Sequence, residues 1–268
     1  MNILIANTGC ATSNEVKSLV DALSKKHKVT VACMMAKRTA TGLAFSPKDV
    51  PVRVNQTSYG KDTTVYEFGN QPADAVSITM LDIMSHKRPD LVICGINNGL
   101  HMGQDIYCSS NIGMAMESAF FNIPTIAVGV ENKPAGNTAK DLENAVKFIE
   151  KNVEKFANLK LAPTTFLNIN VPTVEKYTDF KGVKVSHMSI MSQLSSYVEK
   201  TDGAGNVYYW VSKAERKNAD DGETLARTWF DRQHIVVVPL SYDATDYGAV
   251  ETWDKQIRND MKTVGGAK

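Results

Sequence analysis

A chain of 268 residues, 43% of them apolar and 22% charged, has enough apolar side chains for a substantial core and lacks the composition of a disordered chain. Thirty Lys and Arg against 29 Asp and Glu leave a formal charge of +1 at pH 7, so no field of one sign recruits polymeric nucleic acid or an anionic membrane. No basic leader with an apolar stretch and no run long enough to span a membrane occurs, which predicts a cytoplasmic protein. Cys10, Cys33, Cys94 and Cys108 are dispersed and read as free thiols.

The run NILIA predicts a first strand, the turn NTGCATS follows, and Val16, Leu19, Val20 and Leu23 repeat at helical spacing within 13–25. VTVAC at 29–33 predicts the second strand. The loop after it, residues 37–47, carries Lys37, Arg38, Thr39, Thr41 and Gly42, charges and hydroxyls suited to an anion. Past a polar loop, the strands TTVYEF, LVIC at 91–94 and TIAV at 125–128 alternate with helices opening near Pro72, lying near 111–121 and running from about Thr138 to Phe156. Such alternation predicts an α/β fold, a Rossmann-like, mostly parallel sheet with helices on both faces.

Beyond Pro163 come TFLNINV, VKVSHMSI, NVYYWVS and HIVVVPL. They predict a core over 1–162 and a strand-rich extension over 163–268, with a protruding hairpin turning at DGAGN and a loose tail, VGGAK.

Ligands of open α/β sheets sit at the carboxyl ends of the strands, so Asn7, Thr8, Gly9 and Cys10 should face a site. The stretch from Cys94 to Pro124 should join them. Gly95, Gly99 and Gly103, with Asn97, Asn98, His101 and Asp105 among them, predict a loop whose backbone approaches a ligand closely. Ser109, Ser110 and Asn111 open a helix whose free N–H groups can hold a phosphate. A rival reading takes Cys10, Cys94, His101 and Cys108 as a soft-metal site, for Zn²⁺, or as a thiolate nucleophile with its base. Cys33 and the other histidines, His27, His86, His187 and His234, read as structural.

The segments MNILIAN, RTATG, GNQPADAV, GINNGLHMGQDIYCSSNIGMAMESAFFNIPTIAVG, FLNINVP and HIVVVPL, in this order and spacing, resemble the SurE survival-protein family. The resemblance implies a metal-dependent phosphomonoesterase acting on nucleoside monophosphates, with Mg²⁺ or Mn²⁺ held by an Asp pair, a hydroxyl of the second loop and the Asn of the GIN segment. Here the Asp pair falls on Thr8 and Gly9, the hydroxyl on Thr39 and the Asn on Asn97, so Thr39 and Asn97 alone remain as metal ligands. His101 stands in place of Asn, Cys10 of Gly, Cys94 of Ser, and Ser110-Asn111 of Gly-Thr, whereas Asp105 and Ser109 match.

Three functions fit these residues. The first is a hydrolase with an altered site, using Asn97, Asp105 and His101 as catalytic groups and Asn7, Thr8, Gly9, Cys10, Thr39, Ser109, Ser110 and Asn111 around the phosphate. The second is a non-catalytic nucleotide or phosphate binder, and the third an enzyme repurposed to Cys/His chemistry. The resemblance also implies a homodimer or homotetramer with exchanged arms.

Overall fold

Apolar strand runs alternating with amphipathic helices give β1 (Asn2–Ala6), α1 (Asn14–Leu23), β2 (Lys28–Met34), β3 (Val54–Tyr59), β4 (Thr63–Phe68), α2 (Pro72–Ile78) and β5 (Leu91–Asn98). There follow α3 (Asp105–Cys108), α4 (Ser110–Phe120), β6 (Thr125–Val130), α5 (Ala139–Ala157), β7 (Thr165–Val171), β8 (Val183–Val185), β9 (Met191–Leu194) and β10 (Tyr197–Thr201). The last elements are β11 (Val207–Val211), β12 (Glu215–Asn218), α6 (Ala226–Asp231), β13 (Ile235–Ser241) and α7 (Tyr247–Asp260). The computed structural model describes residues 1–60, 62–133, 137–189, 191–194, 196–212, 215–218 and 226–260.

One nine-stranded sheet runs in the order β3-β4-β2-β1-β5-β6-β7-β13-β8. Its central pairings, from β4 to β7, are all parallel, and β3 and β13 join antiparallel. Period-two alternation on β1 explains why both faces need helices. Ile3 and Ile5 pack with Leu19 of α1 and Leu142 and Ile149 of α5, whereas Leu4 and Ala6 pack with Val76 of α2 and Met114 of α4. This is the α/β architecture that the sequence predicts.

Several elements differ from expectation. The polar segment VNQTSY forms β3, an edge strand with mostly exposed side chains, which its composition concealed. Of the strand expected over VKVSHMSI, the described residues form β8, where three residues pair with β13. The extension is not built of strands alone, since it contains α6 and α7. Both β7 and β13 belong to the main sheet, which thus runs through the expected division at residue 163. The tail VGGAK lies outside the described residues.

The hairpin is as expected, with β10 and β11 paired from Tyr197–Val211 to Thr201–Val207. Its turn closes on the Asp202 carboxylate, which accepts from the N–H groups of Ala204 and Asn206, both at 2.9 Å, and from the Tyr208 hydroxyl at 3.1 Å. These bonds, those from Asn206 foremost, pull the Asp202 pKa down to about 2. Among the described residues no helix is long and apolar enough to cross a membrane.

Candidate functional site at the carboxyl edge of the sheet

Three segments that leave neighbouring parallel strands are tied together here. Asn7, 3% exposed, accepts from the Gly9 N–H at 2.7 Å through Oδ1 and donates from Nδ2 to the Ile96 carbonyl at 3.3 Å, which fixes the first turn against β5. The Arg38 N–H donates to the Thr8 carbonyl and that of Met34 to the Gly9 carbonyl, each at 3.0 Å, so the turn also holds the loop after β2. That loop reaches α4: the Thr41 N–H donates to Ser110 Oγ at 3.0 Å, the two hydroxyls lie 2.9 Å apart, and the Gly42 N–H donates to the Cys108 carbonyl at 3.0 Å. Ser109 caps α4, its hydroxyl accepting from the Ile112 N–H at 3.3 Å.

Between these segments lies a cavity of about 280 Å³. Thr8, Thr39, Asn97, His101 and Asp105 line it, as do Ser109, Ser110 and Asn111 at the start of α4. The two loops expected to converge do so. Lys37, the one Lys or Arg among the described residues of the lining, and Cys108 also stand in the wall. Asn7, Gly9 and Cys10 are not in the wall: Asn7 braces the turn, and Cys10 Sγ sits 3.2 Å from Thr12 Oγ1.

Two expectations need correction. Cys94 does not join His101 and Cys108, because it is fully buried with Leu4, Ala6 and Met114, and burial pushes its thiol up to about 12. Among the described residues no three His, Cys, Asp or Glu side chains gather as metal ligands, so the four-residue soft-metal site is not formed. Gly95, expected to let the backbone approach a ligand, serves the sheet. A Cβ there would stand 2.6 Å from the Val128 carbonyl oxygen, at a φ of +134°.

The cavity floor is made of amides and one imidazole. Asn111 Nδ2 donates to Asn97 Oδ1 at 3.0 Å, and Asn97 Nδ2 to the Gly99 carbonyl at 3.0 Å. The His101 backbone is clamped by β7: its N–H donates to Asn170 Oδ1 at 2.7 Å and its carbonyl accepts from Asn168 Nδ2 at 2.8 Å. His101 and Asn111 are each 1% exposed; Asn111 Oδ1 is buried without a hydrogen-bond partner, whereas the His101 imidazole lies beside the Asn168 side chain. Burial lowers the His101 pKa to about 4, so the ring is neutral at pH 7.

Asn168 and Asn170 escaped the sequence reading, although two amides alternating along an apolar strand, FLNINV, place both on one face. A second amide group stands at the cavity, formed by Asn98, which the sequence singled out, and Asn137, which it did not. Asn98 donates to the Glu15 carboxylate and accepts from Asn137 Nδ2 at 2.9 Å, which joins α1 to the chain after β6.

A family model described as "Survival protein SurE" matches residues 3–194. The chain belongs to the SurE family. It is 34% identical over 211 residues to "5'-nucleotidase SurE" of Pseudothermotoga lettingae, covering 79% of this chain and 78% of that protein. With the protein of the same name from Thermosipho africanus it shares 33% over 249 residues, 92% of this chain and 93% of the relative. The crystal structure of the SurE protein from Aquifex aeolicus superposes with a TM-score of 0.77 at 25% identity, covering 96% of this chain and 99% of that one.

SurE membership raises the question of a divalent ion, and the side chains present do not fit one. Hard cations are held mainly by carboxylates, which offset the loss of hydration. The positions that the resemblance gives to the acidic pair are Thr8 and Gly9, and Asp105 is the only carboxylate in the cavity wall among the described residues. Asn97 Oδ1, the remaining amide candidate, already accepts from Asn111. No catalytic step is therefore routed through a metal here.

Proposed function

We propose that this SurE chain is a nucleotidase-type hydrolase with an altered site, whose cavity takes the phosphate of a nucleoside monophosphate. The observation that carries this reading is the meeting of Lys37, Thr39, Asn97 and the first turn of α4 in one concavity at the carboxyl edge of a SurE fold. The names of its relatives, 5'-nucleotidases, supply the substrate class. Hydrolysis forms a bond from a water oxygen to phosphorus as the ester P–O bond breaks, and the departing ribose oxygen takes a proton from solvent to leave as the nucleoside hydroxyl. Asp105 in the wall is the acceptor for the water proton, and the α4 amides with Lys37 stabilise the charge on the phosphoryl oxygens.

Phosphate release from nucleoside monophosphates tests the reading: slow turnover is expected, reduced at least about tenfold by Asn97→Ala or Asp105→Asn. Binding without any release, and unaffected by Asp105→Asn, would establish a non-catalytic nucleotide binder instead. That second reading is favoured by the lack of acidic residues at positions 8 and 9.

The proposal includes a homodimer or homotetramer. Tyr208, Tyr209 and Trp210 on the hairpin are 49%, 65% and 63% exposed, and α7 presents Tyr247, Val250, Trp253 and Ile257 outward. Apolar stripes of this kind mark protein contacts. Near α3 lies a further cavity of about 840 Å³ with Tyr107, Trp229, Leu240 and Tyr242 in its walls. Light scattering is expected to give two or four copies, and a monomer at micromolar concentration would contradict the exchange of arms.

A further inference from the structure

The acidic cradle of a hard cation and the binding of a phosphate dianion are linked, because the ion ordinarily supplies the charge that the phosphate faces. Without the cradle, another source of positive potential must serve. Lys37 stands in the cavity wall, and α4 is an 11-residue helix whose first-turn N–H groups, at Ser110 and Asn111, have no carbonyl within the helix to bond. A helix end alone would prove little. Two side chains lining the same cavity, His101 and Asn111, are each 1% exposed, and Asn111 Oδ1 has no partner. Buried polar atoms are rarely left so, which marks the floor as built for a polar ligand. Neutral imidazole can donate one N–H to a phosphate oxygen.

We infer that this cavity holds phosphate without a divalent cation, on Lys37, the first-turn amides of α4, and the side chains of His101 and Asn111. The inference rests on the phosphate-ester reading above and goes beyond it in making binding independent of Mg²⁺ and Mn²⁺. It also assigns the charge balance to a lysine outside the positions that the resemblance gives to the metal ligands. His101 acts as a binding residue, presented by the clamp from Asn168 and Asn170.

Calorimetric titration of the full chain with adenosine 5'-monophosphate tests this in three buffers, with EDTA, with millimolar Mg²⁺ and with millimolar Mn²⁺. The dissociation constant is expected to agree within about twofold among them, to rise about tenfold in Lys37→Ala, and to stay unchanged in Cys10→Ser. Lys37 is exposed, so its variant should fold normally, and a circular dichroism spectrum identical to the parent's checks this. Affinity that appears only on adding metal overturns the inference while leaving the phosphate reading intact. Absence of binding in all three buffers overturns both.

Discussion

Gly113→Ala is expected to lower stability by about 3 kcal/mol, with a fall in Tm of roughly 5–10 °C, and to weaken phosphate binding at the same time. The position lies in the first half of α4, where alanine normally favours a helix. Here a Cβ would stand 2.1 Å from the Gly42 carbonyl oxygen, 2.5 Å from its carbon and 2.8 Å from the Leu43 nitrogen. All three are backbone atoms, so no side chain can turn aside. The loop carrying Lys37 and Thr39 must retreat from α4, stretching the Thr41–Ser110 contacts of 3.0 and 2.9 Å. Thermal melts and nucleotide titrations of one preparation measure both effects. Gly203→Ala, at the hairpin turn with nothing within 4 Å of the added carbon, is the neutral control. Equal behaviour of the two variants would mean that the loop does not pack on α4 as described.

Thr8→Asp combined with Gly9→Asp is expected to create divalent-ion binding where the parent has little. Two carboxylates in the first turn restore the ligand type that hard cations need. A Cβ at Gly9 would lie 3.1 Å from Asn7 Oδ1, which the Gly9 N–H holds, and 3.2 Å from the α1 cap Ser13 Oγ, so both side chains must shift by a few tenths of an ångström. In calorimetry with Mn²⁺ alone, affinity should rise at least about a hundredfold over the parent. In EDTA the double variant should bind nucleotide at least about tenfold more weakly than the parent, because the new carboxylates repel the phosphate, and Mn²⁺ should reverse the loss. A parent chain that already binds Mn²⁺ as tightly as the variant would show that its neutral donors suffice.

The sheet was legible where burial on both faces made strands near-continuously apolar, as in β1, β2, β5 and β6. Helices α1 and α5 announced themselves by apolar spacing and by their caps, Ser13 and the Thr138–Asp141 box. The polar β3 and the helix α7 did not. One pairs at an edge and needs no apolar face, and the other turns its apolar stripe outward, away from the core.

The site's location followed from topology, since turns after neighbouring parallel strands must share an edge. Its chemistry was harder to read. Cys94 and Asn97 lie three residues apart on β5, yet Cys94 is core, whereas Asn97, past a register shift with β6 and near the carboxyl end of the strand, lines the cavity. No local pattern in one chain signals that shift. The amides of Asn168 and Asn170 were hidden for the opposite reason, inside a strand that reads as core throughout.

In the proposed binding mode, the first turn and the segment from Asn97 to Asn111 form one phosphate cavity that works without a hard cation. Diffraction from crystals of the parent chain soaked in adenosine 5'-monophosphate and MnCl₂, recorded at the manganese absorption edge, tests it most directly. Phosphate density against Lys37 and the start of α4, with no anomalous peak in the cavity, is the predicted result. A strong anomalous peak bounded by Thr8, Thr39 and Asn97 would contradict it.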